Sequence, residues 1–217
     1  MRALAVRDLS VIASHPAFLL AMCVHVAVLA VFLTAWSHGV PQLPGRNAYE
    51  QQRLVQWTTL AVLLPWTAIR CLPREQRRDV ALLALLTAVR PSHVLLSRII
   101  ATFLALSVLV ASGMPMVILA QQVAGVPLPH ALGGLMSMLG LVALASATSV
   151  WWNTAYSDPV TAWLATTGTV VGLLVCGTIL VSPAIAPWLF WTAALATGVA
   201  MMRDADVSMR HISEEPA

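Results

Sequence analysis

The chain contains no lysine; all twelve of its basic residues are arginines. A P-loop needs a lysine to reach the β- and γ-phosphates of a nucleotide, so no Walker A site exists in these 217 residues, and no glycine-rich phosphate loop appears either. Charge of both signs is scarce. Charged residues make up 10% of the chain, against roughly 25% in a water-soluble domain. Hydrophobic residues make up 59%, and mean hydropathy is +0.82. A buried core cannot account for the missing charge, because a chain of this size must still wet a large surface. Lipid therefore supplies much of the solvent. The expected fold is an all-α integral membrane protein.

Cysteine is also sparse. Cys23, Cys71 and Cys176 are odd in number and lack the paired spacing of a zinc site, an iron–sulfur site or a disulfide framework, so they read as small packing residues. No cofactor is expected on this chain. The net charge of +3 and pI near 9.1 do not indicate nucleic acid, because the arginines lie in short segments between apolar runs.

A bilayer core of about 30 Å takes about 20 apolar residues in a helix. Six runs approach that length, at 17–36, 54–69, 99–121, 132–152, 160–181 and 188–202. The second is bent at Pro65, the third is kinked at Gly113 and Pro115, and the sixth is short and followed by a charged tail. Residues 1–15 form an amphipathic interfacial helix, with Leu4, Val11 and Ile12 toward lipid and Arg2, Arg7 and Asp8 toward water. A cleaved signal peptide has an apolar core of only about 7–15 residues and a small-residue cleavage site; no such site follows Trp36.

Orientation follows from the arginines, because cytoplasmic segments hold the positive charge. With both termini inside, the inner segments hold ten arginines and the outer ones only Arg46 and Arg53. Tryptophans agree: Trp36, Trp57, Trp188 and Trp191 fall in an outer belt, and Trp151, Trp152 and Trp163 in an inner one. The expected topology is N-in, C-in, in the cytoplasmic (inner) membrane of a bacterial cell.

No Asp, Glu, Lys or Arg lies well inside an apolar run. Ion-driven carriers place ionisable residues near the midplane, so the energy for any transport is expected to come from elsewhere. Only His25 lies deep in a span, and it reads as a hydrogen-bonded packing residue; His15, His38, His93, His130 and His211 sit at span ends or in loops. Ser112 beside Gly113 could act as a nucleophile only with a base in reach, and no histidine lies on a later span to supply one. Ser112, Gln121, Gln122, Ser137, Ser146, Thr148, Thr166, Thr167 and Thr169 supply material for a weakly polar path. Gly168 and Gly172 form GxxxG, and Cys176 continues that face. Such a ridge lets a helix approach closely in lipid, either inside the bundle or between subunits. Gly133 and Ser137 repeat the pattern more weakly.

The most charged stretch is 70–98. Within it, Glu75, Arg77, Arg78 and Asp79 precede the run Leu82, Leu83, Leu85, Leu86 and Thr87, and then Arg90, Pro91, Ser92, Val94, Leu95 and Leu96. On charge and periodicity alone this is a basic loop that sets topology, or a surface helix with one apolar face. The segment resembles the cytoplasmic signature of type-2 ABC transporter permeases, in which a charged cluster precedes a Leu-rich helix and a Thr/Ser-Pro turn. It departs from that pattern at Asp79-Val80, at Ala88 and at Ser97-Arg98. The resemblance implies that residues 1–217 are one transmembrane permease domain and that Glu75 to Thr87 form a coupling helix between spans two and three. It also implies cytoplasmic ABC ATPase subunits on separate chains, which hold the ATP and Mg, and a second permease subunit, identical or paralogous. Export is the implied direction. A haem- or cytochrome-maturation-type ABC permease, or a non-transporting membrane scaffold, is the alternative.

Overall fold

The computed structural model describes residues 2–37, 48–72, 90–179 and 186–214. Among these there are eight helices and no strand: α1 (Arg2–Ser14), α2 (Pro16–Ser37), α3 (Ala48–Cys71), α4 (Pro91–Ser112), α5 (Met114–Ala124), α6 (Leu128–Ala155), α7 (Pro159–Ile179) and α8 (Ala186–Glu214). Three stretches are long and apolar enough to cross a membrane: Pro16–Ala35 in α2, Pro91–Ser112 in α4 and Ala131–Ala155 in α6. Met114–Ala124 and Pro159–Val175 are shorter apolar helices.

Prolines set several of the starts. Pro16, Pro91 and Pro159 open α2, α4 and α7, where a missing N–H costs nothing and a fixed φ fits the first turn. His15 caps α2 by accepting the Ala17 N–H at Nδ1 (3.2 Å). Asp158 caps α7, its Oδ2 accepting the Thr161 N–H and O–H at 2.8 and 2.7 Å. Gly125 closes α5 at φ 64°, a left-handed conformation that glycine adopts without steric penalty.

The helix boundaries depart from the apolar runs in a consistent way. The second helix begins at Ala48 rather than at 54, so the polar stretch Glu50 to Arg53 is helical. The third begins at Pro91 rather than at 99, taking in Ser92, Ser97 and Arg98 as buried residues. The last runs to Glu214, so the charged tail continues the helix. An apolar window ends at the first cluster of polar residues, whereas a helix continues wherever backbone geometry and packing allow. The charged stretch 70–98 therefore contributes Arg70 and Cys71 to α3 and residues 91–98 to α4. Glu75, Arg77, Arg78, Asp79, Leu82, Leu83, Leu85, Leu86 and Thr87 lie outside the described residues.

Helix α6 sits at the centre, packed against α3, α4, α7 and α8. Leu144, Ala145, Ser146, Ala147, Thr148, Ser149 and Val150 are all buried in succession, around its full circumference. Its small residues let neighbours close in. A Cβ on Gly140 would lie 3.1 Å from the Phe190 Cβ and 3.2 Å from the Trp191 ring, which places α8 directly on α6. In lipid such close packing supplies the association that the hydrophobic effect supplies in water. The core behind it includes Leu60 and Leu64 of α3, Leu106 and Leu109 of α4, Leu141 and Leu144 of α6, and Phe190 of α8.

The outer surface is apolar. Leu19, Leu20 and Val31 of α2, Leu104 and Val108 of α4, Leu164 of α7, and Leu195 and Val199 of α8 are all exposed. Asp8, His25, Gln52, Gln56, Arg98 and Thr102 are buried. This distribution suits a lipid environment and would leave large sticky patches in water.

Candidate functional site

Three polar features interrupt the apolar interior. The first is at the break between α4 and α5. In an unbroken helix the Gly113 N–H would bond the Leu109 carbonyl; here it bonds Val110 O (3.1 Å). Pro115 has no N–H to give to the turn before it. The freed Leu109 carbonyl accepts the Ser112 hydroxyl (2.6 Å) and lies 3.1 Å from His25 Nδ1. A carbonyl only accepts, so Nδ1 carries the proton and Nε2 presents a lone pair. That Nε2 is buried and has no hydrogen-bond partner. The ring lies in the space a side chain would occupy at position 113: a Cβ there would come 2.6 Å from His25 Cε1 and 2.7 Å from Leu29 Cδ1.

The second feature is on α3. Gln52 and Gln56 are fully buried, one helical turn apart on one face, and all four of their amide atoms lack a hydrogen-bond partner. Beside them on the helix, Tyr49 is held against α6. A Cβ on Gly134 would meet the Tyr49 hydroxyl at 2.8 Å and the Arg53 guanidinium at 3.5 Å. Arg53 also lies over the Trp57 ring at 5.5 Å, and Trp57 packs on Phe190 with centroids 5.6 Å apart. On α4 and α6, the buried hydroxyls of Thr102 and Ser149 are also without partners. A buried polar group without a partner costs about 1–3 kcal/mol. Two glutamines left so in succession call for water or a polar solute between the helices.

The third feature joins α1 to α4. Asp8 is buried, with its carboxylate 2.9 Å from Arg7 Nη2 and 4.0 Å from Arg98 Nε. The Asp8 and Arg98 side chains are each only 2% exposed. Asp8 thus faces the bundle rather than water, and Ile12 faces it rather than lipid. The interfacial helix expected at 1–15 has an apolar stripe, but Asp8 lies within the buried face and is stabilised there by its arginines.

The polar residues singled out in the sequence serve mostly their own helices. Ser137, Ser146, Thr148, Thr166 and Thr169 each bond the carbonyl four residues back, at 2.7–2.9 Å. Gln121 braces the turn after α5 by donating to Val126 O (3.3 Å), and Gln122 is exposed. Of that set, Thr167 keeps a buried hydroxyl without a partner. Gly168 and Gly172 are exposed, and no described atom lies within 4 Å of where their Cβ would be. The ridge is therefore not used between described helices of this chain. The Cys176 side chain lies outside the described residues. The close approaches on α6 fall at Gly134 and Gly140, whereas Gly133 is exposed with nothing near it.

Gln52 precedes the apolar run 54–69 and Gln56 falls in its first turn, so hydropathy alone does not single them out. Their i, i+4 spacing, continued by Leu60 and Leu64, is the signal that would have placed them on the inner face. Comparison of the chain with protein-family models, curated proteins and solved structures finds no match.

Proposed function

We propose that this chain is the membrane-spanning permease subunit of an ATP-driven ABC transporter, an exporter, worked by cytoplasmic ATPase subunits on separate chains. In this reading α2, α3, α4 with α5, α6, α7 and α8 are six spans with both termini inside, and α1 lies along the inner surface, fastened by Asp8 and Arg98. The arginine asymmetry supports that orientation. The charged cluster and Leu-rich run at 75–87 support the ATPase partner, through the family resemblance. The outward ridge of Gly168 and Gly172 supports a second permease subunit seated on α7.

The observation that carries transport over a purely structural role is the pair of buried glutamines whose amides have no partner. A scaffold gains nothing from them, since leucines of similar size would pack without the desolvation cost. A path for a polar solute needs donors and acceptors that are left free. Single cysteines at positions 52 and 56, with Cys23, Cys71 and Cys176 replaced, test this in membranes. A water-soluble thiol reagent is expected to label both; protection of both, with a cysteine at position 46 labelled, would leave the interior dry and remove the path.

The ATPase partner is tested separately. A close, partly desolvated charge pair at an interface contributes about 1.5 kcal/mol or more, a solvated one about 0–1 kcal/mol. Glu75→Ala and Arg78→Ala are therefore expected to lower copurification of an ATP-hydrolysing subunit about tenfold while the chain still inserts. Copurification at the wild-type level in both variants would reduce the segment to a basic loop.

A further inference from the structure

A crevice of about 220 Å³ opens between the end of α3 and the start of α7, lined by Trp66, Ile69, Arg70, Pro159, Val160 and Trp163. Its floor is apolar: Ile69 is buried and Trp66 and Trp163 are half-buried. Two donors of its lining residues have nothing to bond. Arg70 is exposed and makes no hydrogen bond or ion pair among the described residues. The Trp163 indole N–H is buried with no acceptor. In the first turn of α7, Pro159 has no N–H, and the Thr161 and Ala162 N–H groups bond Asp158 Oδ2 and O. The nearby carboxylate, Asp158, is turned into that first turn by Thr161.

Donors without acceptors, one of them cationic, set over aromatic and aliphatic walls call for an anion that carries a hydrocarbon tail. The volume points the same way. A liquid water occupies about 30 Å³, so the crevice is several times too large for one bridging water. It is smaller than the roughly 300–1,000 Å³ of a drug-sized pocket, so it takes only part of a longer molecule. Arg70 closes the apolar run at 54–69, and tryptophans collect at the headgroup level of a bilayer.

We infer that this crevice is a binding site for one phospholipid, with the headgroup phosphate on Arg70 and the Trp163 N–H and the acyl chain on Trp66 and Val160. The site belongs to this chain alone and does not depend on the transport reading. A phosphate there bridges Arg70 at the end of α3 and Trp163 near the start of α7. It also adds an acceptor for an indole N–H that the protein leaves unbonded.

Native mass spectrometry of the full chain in detergent tests the site, with phosphatidylglycerol as the probe and a diacylglycerol of the same acyl chains as the comparison. One phosphatidylglycerol per chain is expected to survive gentle activation, and the diacylglycerol is not. Arg70→Gln is expected to lower the lipid-bound fraction about fivefold, the effect of one arginine near an anionic headgroup. Arg70→Lys is expected to keep part of the binding. Trp163→Phe retains the ring but removes the N–H, and is expected to weaken binding about two- to tenfold, as loss of one neutral hydrogen bond does. Arg203→Gln makes the same charge change on α8 and is expected to leave binding intact. Unfolding is measured in parallel, so that loss of fold is separated from loss of lipid. Equal retention of diacylglycerol, wild-type binding in Arg70→Gln, or equal losses in Arg70→Gln and Arg203→Gln would each overturn the site. Displacement by millimolar inorganic phosphate would assign it to a soluble anion and overturn the lipid.

Discussion

Replacing Gly113 by alanine puts opposing effects on one methyl group. The backbone accepts it: Gly113 lies at φ −86°, ψ −10°, in the right-handed region open to any L-residue. Helix propensity favours the change by up to about 1 kcal/mol. The space does not accept it. The new Cβ would lie 2.6 Å from His25 Cε1 and 2.7 Å from Leu29 Cδ1, well inside van der Waals contact. Both side chains are fully buried, so neither can swing into solvent, and moving His25 would stretch its 3.1 Å contact with Leu109 O. Overpacking of this kind costs about 1–3 kcal/mol. The net expectation for Gly113→Ala is a loss of about 1–2 kcal/mol, read as a lower midpoint in denaturant unfolding of the purified chain. Leu29→Ala alone is expected to cost about 2–5 kcal/mol through the cavity it leaves. In the double variant the added methyl has room, so the two losses should fall short of additivity by at least about 0.5 kcal/mol. A Gly113→Ala protein as stable as wild type, or strict additivity with Leu29→Ala, would refute the seating of the imidazole in the helix break.

Two further outcomes follow from the same geometry. Asp8→Ala leaves the Arg98 guanidinium buried without the carboxylate beside it, and is expected to cost about 3–5 kcal/mol. Arg7→Ala, at the half-exposed partner of the same aspartate, is expected to cost about 0–1 kcal/mol; equal losses in unfolding assays would show that Asp8 is not buried. Cys71 is buried against the core at the end of α3, so maleimide at pH 7.5 is expected to modify it only after denaturation. Rapid labelling of the folded chain at pH 7.5 would contradict this.

Much of the architecture is visible in the residues alone. Scarce charge, long apolar runs and prolines at their starts require membrane-type helices, because a chain with so few polar groups cannot wet a surface in water and its backbone must bond within itself in lipid. The break at Gly113 and Pro115 and the turn at Gly125 are also readable, since they depend on backbone chemistry that glycine and proline carry with them. Helix ends are less so: α3 begins within a polar stretch and α4 includes Arg98, because packing rather than hydropathy decides where those helices stop. The interior polar groups are the least readable. Most of the serines and threonines noted along the spans turn back onto their own helices, a choice made by local geometry. Gln52 and Asp8 sit in polar stretches and Gln56 at the edge of an apolar run, and all three are buried only because other helices pack across α3 and α1. The residues determine that this chain belongs in a bilayer and where its helices break. Only the packing of helices against one another decides which polar side chains face inward, because burial depends on neighbours far away in sequence.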